Sequence, residues 1–260
     1  MTQLTAVDLD VTYTGSGPTV VFVHGSVVGG KTTWRRQQAL AARWTLCVAN
    51  RPGFGRSPAI GRGDFEAEAP LIAELLADGA HLVGHSYGAV IALCAAALRP
   101  HAVRSLTVSE PGCLRVAAGA AHVDAQIANG ELLYQHADTL TPAQFLEAFR
   151  AGAGSLRPTP PQLTGRLLQG ARMLMRERPP WEAELPLAEL ASTTFPKLVI
   201  SGGHSPVFET VCDTIALDLQ AQRATVAGFG HTIPAAGSPY NELLHTFLSN
   251  CEQSVAPDQT

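Results

Sequence analysis

The chain has 260 residues, of which 46% are hydrophobic and 15% charged, so it holds enough apolar material for a large buried core and does not read as disordered. The formal net charge of −4 offers no basic field for nucleic acid or anionic lipid, no apolar run approaches a membrane span, and Met1-Thr2-Gln3-Leu4 lacks the charged and apolar regions of a leader. The five cysteines (Cys47, Cys94, Cys113, Cys212 and Cys251) are odd in number and scattered without metal-ligand spacing, which predicts free thiols in a reducing cytoplasm.

Thr19–Val23 is a β-branched run bounded by Gly-Pro and His-Gly and reads as a buried strand. A second strand, Trp44–Ala49, stops at the turn-rich Arg51-Pro52-Gly53-Phe54-Gly55. Residues 65–78 carry apolar positions at helical spacing. Ala80–Val83 is a third strand, running into Gly84-His85-Ser86-Tyr87-Gly88, and Ala89–Leu98 follows as an Ala-rich buried helix. Ser105–Val108 is a fourth strand. From about 112 to 192 the strand signal disappears and helices are predicted at 119–136, 142–152 and 160–177, with Thr141-Pro142 as a good helix start. Lys197–Ile200 returns to strand, 207–220 to helix, Arg223–Val226 to strand and 238–250 to a closing helix. The tail from Val255 to Thr260 is expected to fray.

Strands alternating with helices predict an α/β protein with a mainly parallel sheet flanked by helices. The expected division is a core of residues 1–111 and 193–260 with a helical insertion at 112–192. Ligands of such sheets bind beyond the carboxyl ends of the strands, and His24, Ser86 and Glu110 each sit just past one.

A serine hydroxyl is a poor nucleophile unless a base removes its proton and donors hold the resulting oxyanion. Gly-x-Ser-x-Gly between a strand and a helix supplies a tight turn that lifts Ser86 above the sheet, with the Tyr87 amide aimed where an oxyanion would form. The base should follow the last strand, and His231 lies there in Gly228-Phe229-Gly230-His231. His24 and His85 are expected to make structural hydrogen bonds, and His204 is a weaker rival for the base. Gly25 to Thr32 also matches the phosphate-binding pattern Gly-x4-Gly-Lys-Thr. No later strand ends in an Asp to support Mg²⁺, which disfavours a nucleotide site.

Val21–Gly25, Asn50–Ser57, Gly84–Gly88 and Gly228–His231, in that order, resemble the α/β-hydrolase superfamily over nearly the whole chain. The closing stretch resembles small bacterial members of esterase type. The resemblance implies an α/β-hydrolase fold in which 112–192 is a helical cap, and it implies that the amide of Ser26, or of its neighbour Val27, completes an oxyanion hole with Tyr87. Two positions depart from the family. Asn50 stands where Asp is usual, and the loop after 197–200, Ser201-Gly202-Gly203-His204-Ser205-Pro206, has no carboxylate where the family usually keeps its acid. Glu110, after the Ser105–Val108 strand, is the candidate acid, as in some relatives with a relocated acid. Glu209 and Asp213 lie inside a predicted helix and are rivals.

The expected activity is cleavage of an ester, lactone or related acyl bond of a small, fairly hydrophobic molecule by Ser86, Glu110 and His231, without cofactor or metal. C–C bond hydrolysis, cofactor-free oxygenation or perhydrolysis, and a non-catalytic ligand receptor are the alternatives. Tyr134, Met173 and Trp181 are the expected substrate-binding residues, with Phe145, Phe149 and Met175 as further candidates. The expected partner is a small-molecule substrate, with no nucleic acid and no membrane; self-association into a homo-oligomer stays open.

Overall fold

The computed structural model describes residues 4–156 and 158–255, so the expected fraying of residues 256–260 lies outside the described residues. Seven strands form one sheet: β1 (Val11–Thr14), β2 (Thr19–Val23), β3 (Thr45–Ala49), β4 (Ala80–His85), β5 (Val103–Ser109), β6 (Lys197–Ser201) and β7 (Gln222–Thr225). Their order is β1-β3-β2-β4-β5-β6-β7, and every pairing is parallel except β1 with β3. The helices are α1 (Gly30–Thr33), α2 (Phe65–Leu75), α3 (Tyr87–Leu98), α4 (Ala121–Gln135), α5 (Pro142–Gly152), α6 (Gly165–Leu174), α7 (Leu187–Ala191), α8 (Pro206–Asp218) and α9 (Ser238–Val255).

The interior strands are apolar along their length because both faces are covered. In β2, Val21 and Val23 join a core with Phe65 and Ile72 of α2, Val90 of α3 and Val211 and Ile215 of α8. Val20 and Phe22 point the other way, onto Trp34 and onto Tyr240, Leu244 and Leu248 of α9. The mainly parallel, helix-flanked sheet expected from the sequence is present.

Edge strand β1 is not among the expected elements. It is four residues of Thr, Tyr and Val with no fully buried position, so its strand state comes from pairing with β3 rather than from a hydrophobic pattern. The helix expected over 160–177 is shorter, Gly165–Leu174, because the prolines at 158, 160 and 161 remove backbone donors and restrict the residues before them. Helices α4 to α7 lie between β5 and β6 in sequence, and α5 and α6 share a small core of their own around Phe145, Leu146 and Leu174. Among the described residues no helix is long and apolar enough to cross a membrane.

Candidate active site

Strand β4 ends at His85, and Ser86 turns the chain into α3 with φ of 56° and ψ of −121°. That backbone is strained for a non-glycine residue and is tolerated where the surroundings fix it. A Cβ at Gly88 would stand 2.4 Å from the carbonyl oxygens of Val23 and His24, and one at Gly84 would stand 2.5 Å from Gly88 O. The turn therefore packs backbone against backbone, which explains glycine on both sides of Ser86.

His231 follows β7 and places its Nε2 2.9 Å from Ser86 Oγ. Its Nδ1 lies 2.6 Å from Glu110 Oε2. With Glu110 ionised, Nδ1 carries the hydrogen and donates it, which leaves the Nε2 lone pair facing the serine hydroxyl. A second histidine assists: His85 Nε2 lies 2.7 Å from His231 O, and Phe208 stacks on the His231 ring at 4.5 Å between centroids. Glu110, just past β5, is fully buried and has φ of 42°. Its Oε1 accepts the Gly202 N–H at 2.6 Å and faces His204 Nδ1 at 3.2 Å. Burial pushes the Glu110 carboxyl up to about 7 and the His231 imidazole down to about 3. Nearby His204 opposes the first shift and reinforces the second.

The structure thus brings Ser86, His231 and Glu110 into hydrogen-bonding sequence. The rivals stand elsewhere. Glu209 accepts from Ser201 Oγ at 2.8 Å and from the Gly203 amide at 2.9 Å, and Asp213 pairs with Arg223. Both support the loop after β6 and the β7 edge rather than His231.

Ser86 is reached through two cavities. One, of about 300 Å³, is lined by Leu114, Leu133, Phe149, Trp181 and Phe208 together with Ser86 and His231. The other, of about 130 Å³, is lined by Ser26, Val27, Thr33 and Thr232 with the same two residues. Ser26, Val27 and Tyr87 therefore all lie beside Ser86, and none of their amides has a protein acceptor among the described residues. The Ser86 amide is not available, since it donates to Ser109 O at 2.9 Å.

Of the expected substrate-binding residues, Trp181 lines the larger cavity but Tyr134 and Met173 do not. Tyr134 stands edge-on between Phe145 and Trp181, with centroids 5.1 and 5.6 Å away, so it backs the wall that Trp181 forms. Met173 lies against Gly53 and lines a separate groove with Ile60 and Leu168. Phe149 does line the larger cavity, Phe145 is buried in the core of α5 and α6, and Met175 lines another groove. Helical spacing locates the apolar face of each helix, but it does not say whether that face meets a neighbouring helix or a cavity.

The sequence reading missed a buried charge network beneath Ser86. Arg51 is 1% exposed, and it bonds Glu68 through Nε and Nη2 at 2.7 and 3.0 Å and Glu177 through Nη2 at 2.8 Å. Its guanidinium lies over the Tyr87 ring at 4.1 Å. Burial disfavours the Arg51 charge, but Glu68 and Glu177 outweigh burial and hold its pKa up. His24, expected to be structural, accepts the Arg51 amide on Nε2 at 3.0 Å and donates from Nδ1 to Gly25 O at 2.7 Å. Asn50 accepts from the Gly30 amide and donates to Asp10, a second contact that an ionised Asp could not make. That Gly30 contact places the phosphate-loop-like stretch against the β3 end.

Residues 20–248 match the model of the alpha/beta hydrolase family. The chain is 35% identical over 163 residues to a pimeloyl-[acyl-carrier protein] methyl ester esterase of Chromobacterium violaceum, a match covering 61% of this chain and 63% of that protein. It is 36% identical over 111 residues to the protein of the same name from Methylococcus capsulatus, covering 38% of this chain and 42% of that protein. The chain thus spans under two thirds of the length of these curated relatives. Among solved structures, Rv0554 from Mycobacterium tuberculosis superposes with a TM-score of 0.66 at 19% identity, covering 93% of each chain.

Proposed function

The chain belongs to the alpha/beta hydrolase family, and from that premise we propose that it hydrolyses a carboxylic ester with a small, apolar acyl group through a Ser86 acyl-enzyme. The observation that carries this reading is the relay from Glu110 through His231 to Ser86, at 2.6 and 2.9 Å. His231 Nε2 takes the Ser86 proton as Oγ bonds to the ester carbonyl carbon. The amides of Tyr87 and Ser26, with Val27 as the neighbouring alternative, stabilise the oxyanion at the first turn of α3. The intermediate collapses, the C–O bond to the alcohol breaks, and the alcohol leaves with the proton held by His231. Water then gives a proton to His231, attacks the acyl carbon and frees the acid, and the proton returns to Ser86.

Glu110 fixes the His231 tautomer and compensates the imidazolium formed at each step. The apolar walls of Leu114, Leu133, Trp181 and Phe208 favour an apolar acyl chain. A lactone is the cyclic case of the same reaction. The test is a panel of p-nitrophenyl and methyl esters of increasing chain length with one simple lactone, run beside labelling by a fluorophosphonate probe. Turnover and labelling that Ser86→Ala abolishes are expected. No turnover on any ester and no labelling at high probe concentration would overturn the reading in favour of a ligand receptor.

A further inference from the structure

The Gly25–Ser26 peptide lies directly against Ser86: a Cβ on Gly25 would stand 2.9 Å from Ser86 Cβ. Its carbonyl accepts two hydrogen bonds, from His24 Nδ1 at 2.7 Å and from Arg51 Nη1 at 3.1 Å. In a trans peptide the N–H points opposite to the C=O. Fixing Gly25 O therefore fixes the direction of the Ser26 N–H, which has no protein acceptor among the described residues. What fixes Arg51 then matters. Glu68 holds it from α2, and Glu177, just beyond α6, holds it from the helical block between β5 and β6.

Glu177 is 2% exposed and uses both carboxylate oxygens on this loop and its support. Oε1 accepts from Arg51 Nη2 at 2.8 Å, and Oε2 accepts from Ser26 Oγ at 2.5 Å. The residue whose amide would face the oxyanion is thus tied by its side chain to the same carboxylate that tethers the guanidinium behind its peptide. Helix α6 makes a second contact with the loop. Val27 has φ of 76°, a strained conformation for a β-branched residue, and its carbonyl packs on Gly170. A Cβ at Gly170 would stand 1.8 Å from Val27 O.

We infer that Glu177 is a positioning residue for the oxyanion hole, bracing the Gly25–Ser26 peptide through Ser26 Oγ and Arg51 so that the donor is aimed only when α6 is seated. It does not touch the reacting atoms. The inference rests on the serine-hydrolase reading above for its catalytic consequence, but the bracing itself is a structural claim with its own readout.

The experiment compares wild type with Ser26→Ala, Ser26→Thr, Glu177→Gln and Glu177→Ala. Ser26→Ala removes one oxygen, so it tests the tether without unpairing Arg51. It is expected to lower kcat on a p-nitrophenyl ester about tenfold with KM within about twofold, and to weaken a trifluoromethyl ketone that mimics the tetrahedral adduct in parallel, because the lost term acts on the transition state. Ser26→Thr, which keeps the hydroxyl, restores most of the rate. Glu177→Gln falls between wild type and Glu177→Ala. The structural readout is hydrogen exchange at the Val28 amide, which donates to Ser26 O at 2.9 Å and should exchange faster in both Glu177 variants. Wild-type kcat and inhibitor affinity in Ser26→Ala and Glu177→Gln, with wild-type Val28 exchange in both Glu177 variants, would overturn the inference. A wild-type protein with no esterase activity and no fluorophosphonate labelling would overturn the functional reading instead, and Val28 exchange would then decide the bracing alone.

Discussion

The ends of β5 and β6 are neighbours in the sheet, each followed by a loop that reaches His231 or its partners, yet they contribute opposite things. The end of β5 supplies a carboxylate: Glu110 is fully buried, with one oxygen on His231 Nδ1. The end of β6 supplies a hydrogen-bond donor, the Gly202 amide to Glu110 Oε1, and sets the His204 ring beside the same oxygen, with its Nε2 turned to Ala153 O. A carboxylate in a buried site must be held by donors or it neutralises. With Glu110 buried at the β5 end, the β6 loop carries the task of supporting it. Glu209, the nearest carboxylate in sequence after that loop, is turned away to accept from Ser201 and Gly203 and so shapes the loop.

This contrast can be broken most severely at the β5 end. Glu110→Ala is expected to lower kcat/KM for an ester by on the order of a thousandfold, through loss of His231 orientation and of imidazolium stabilisation, and steady-state kinetics on folded protein checks this. Retention of near-wild-type turnover would remove Glu110 from the relay. Gly202→Ala strikes the donor side. Its Cβ would stand 2.9 Å from Glu110 Oε1 and 2.7 Å from Gly230 O, so it should displace both the acid and the loop carrying His231. A fall of about tenfold to a hundredfold in kcat is expected, consistent with the sensitivity of such relays to small misplacements.

A subtler change sharpens the comparison through pH. Burial raises the Glu110 carboxyl to about 7, so its ionised, orienting form is gained as pH rises through that value. His231, pushed down to about 3, stays neutral across the same range. The rate should therefore climb with pH through an acidic limb near 7 that belongs to the coupled group rather than to one residue. The charge of His204 pulls the Glu110 value down, as does His85, while Glu209 opposes them. His204→Asn should move the limb upward, read from the pH dependence of kcat/KM. An unchanged limb would show that His204 does not act on the acid. The smallest effect is expected at Asp213→Ala, which removes only an exposed partner of Arg223: kinetics near wild type and stability within about 0.5 kcal/mol, measured by denaturant unfolding.

Within the site, legibility followed the length scale of the signal. The Ser86 turn is local, since its two glycines, preceding strand and following helix lie within about twenty residues, and each is required by close packing at that turn. His231 was legible from chain order and from the glycines around it. Glu110 was legible only by elimination, because a carboxylate after a strand looks the same whether it faces a histidine or solvent. Trp181 and Phe149 were found among the apolar residues of the helical block, but Tyr134 and Met173 show that an apolar helical position has two destinations. The Arg51–Glu177–Ser26 network carried no sequence signal, as its members are 126 and 151 residues apart.

The sequence by itself determined the α/β alternation, the parallel sheet buried on both faces and the strained serine turn, because periodicity, turn residues and packing limits act over a few neighbouring positions. Only the tertiary structure decided which carboxylate meets His231, which aromatic rings face the cavity and which charges are buried together. Those outcomes depend on distances between elements far apart in the chain. The deciding physics, desolvation of charge and the need to satisfy every buried donor and acceptor, operates only once the elements are packed.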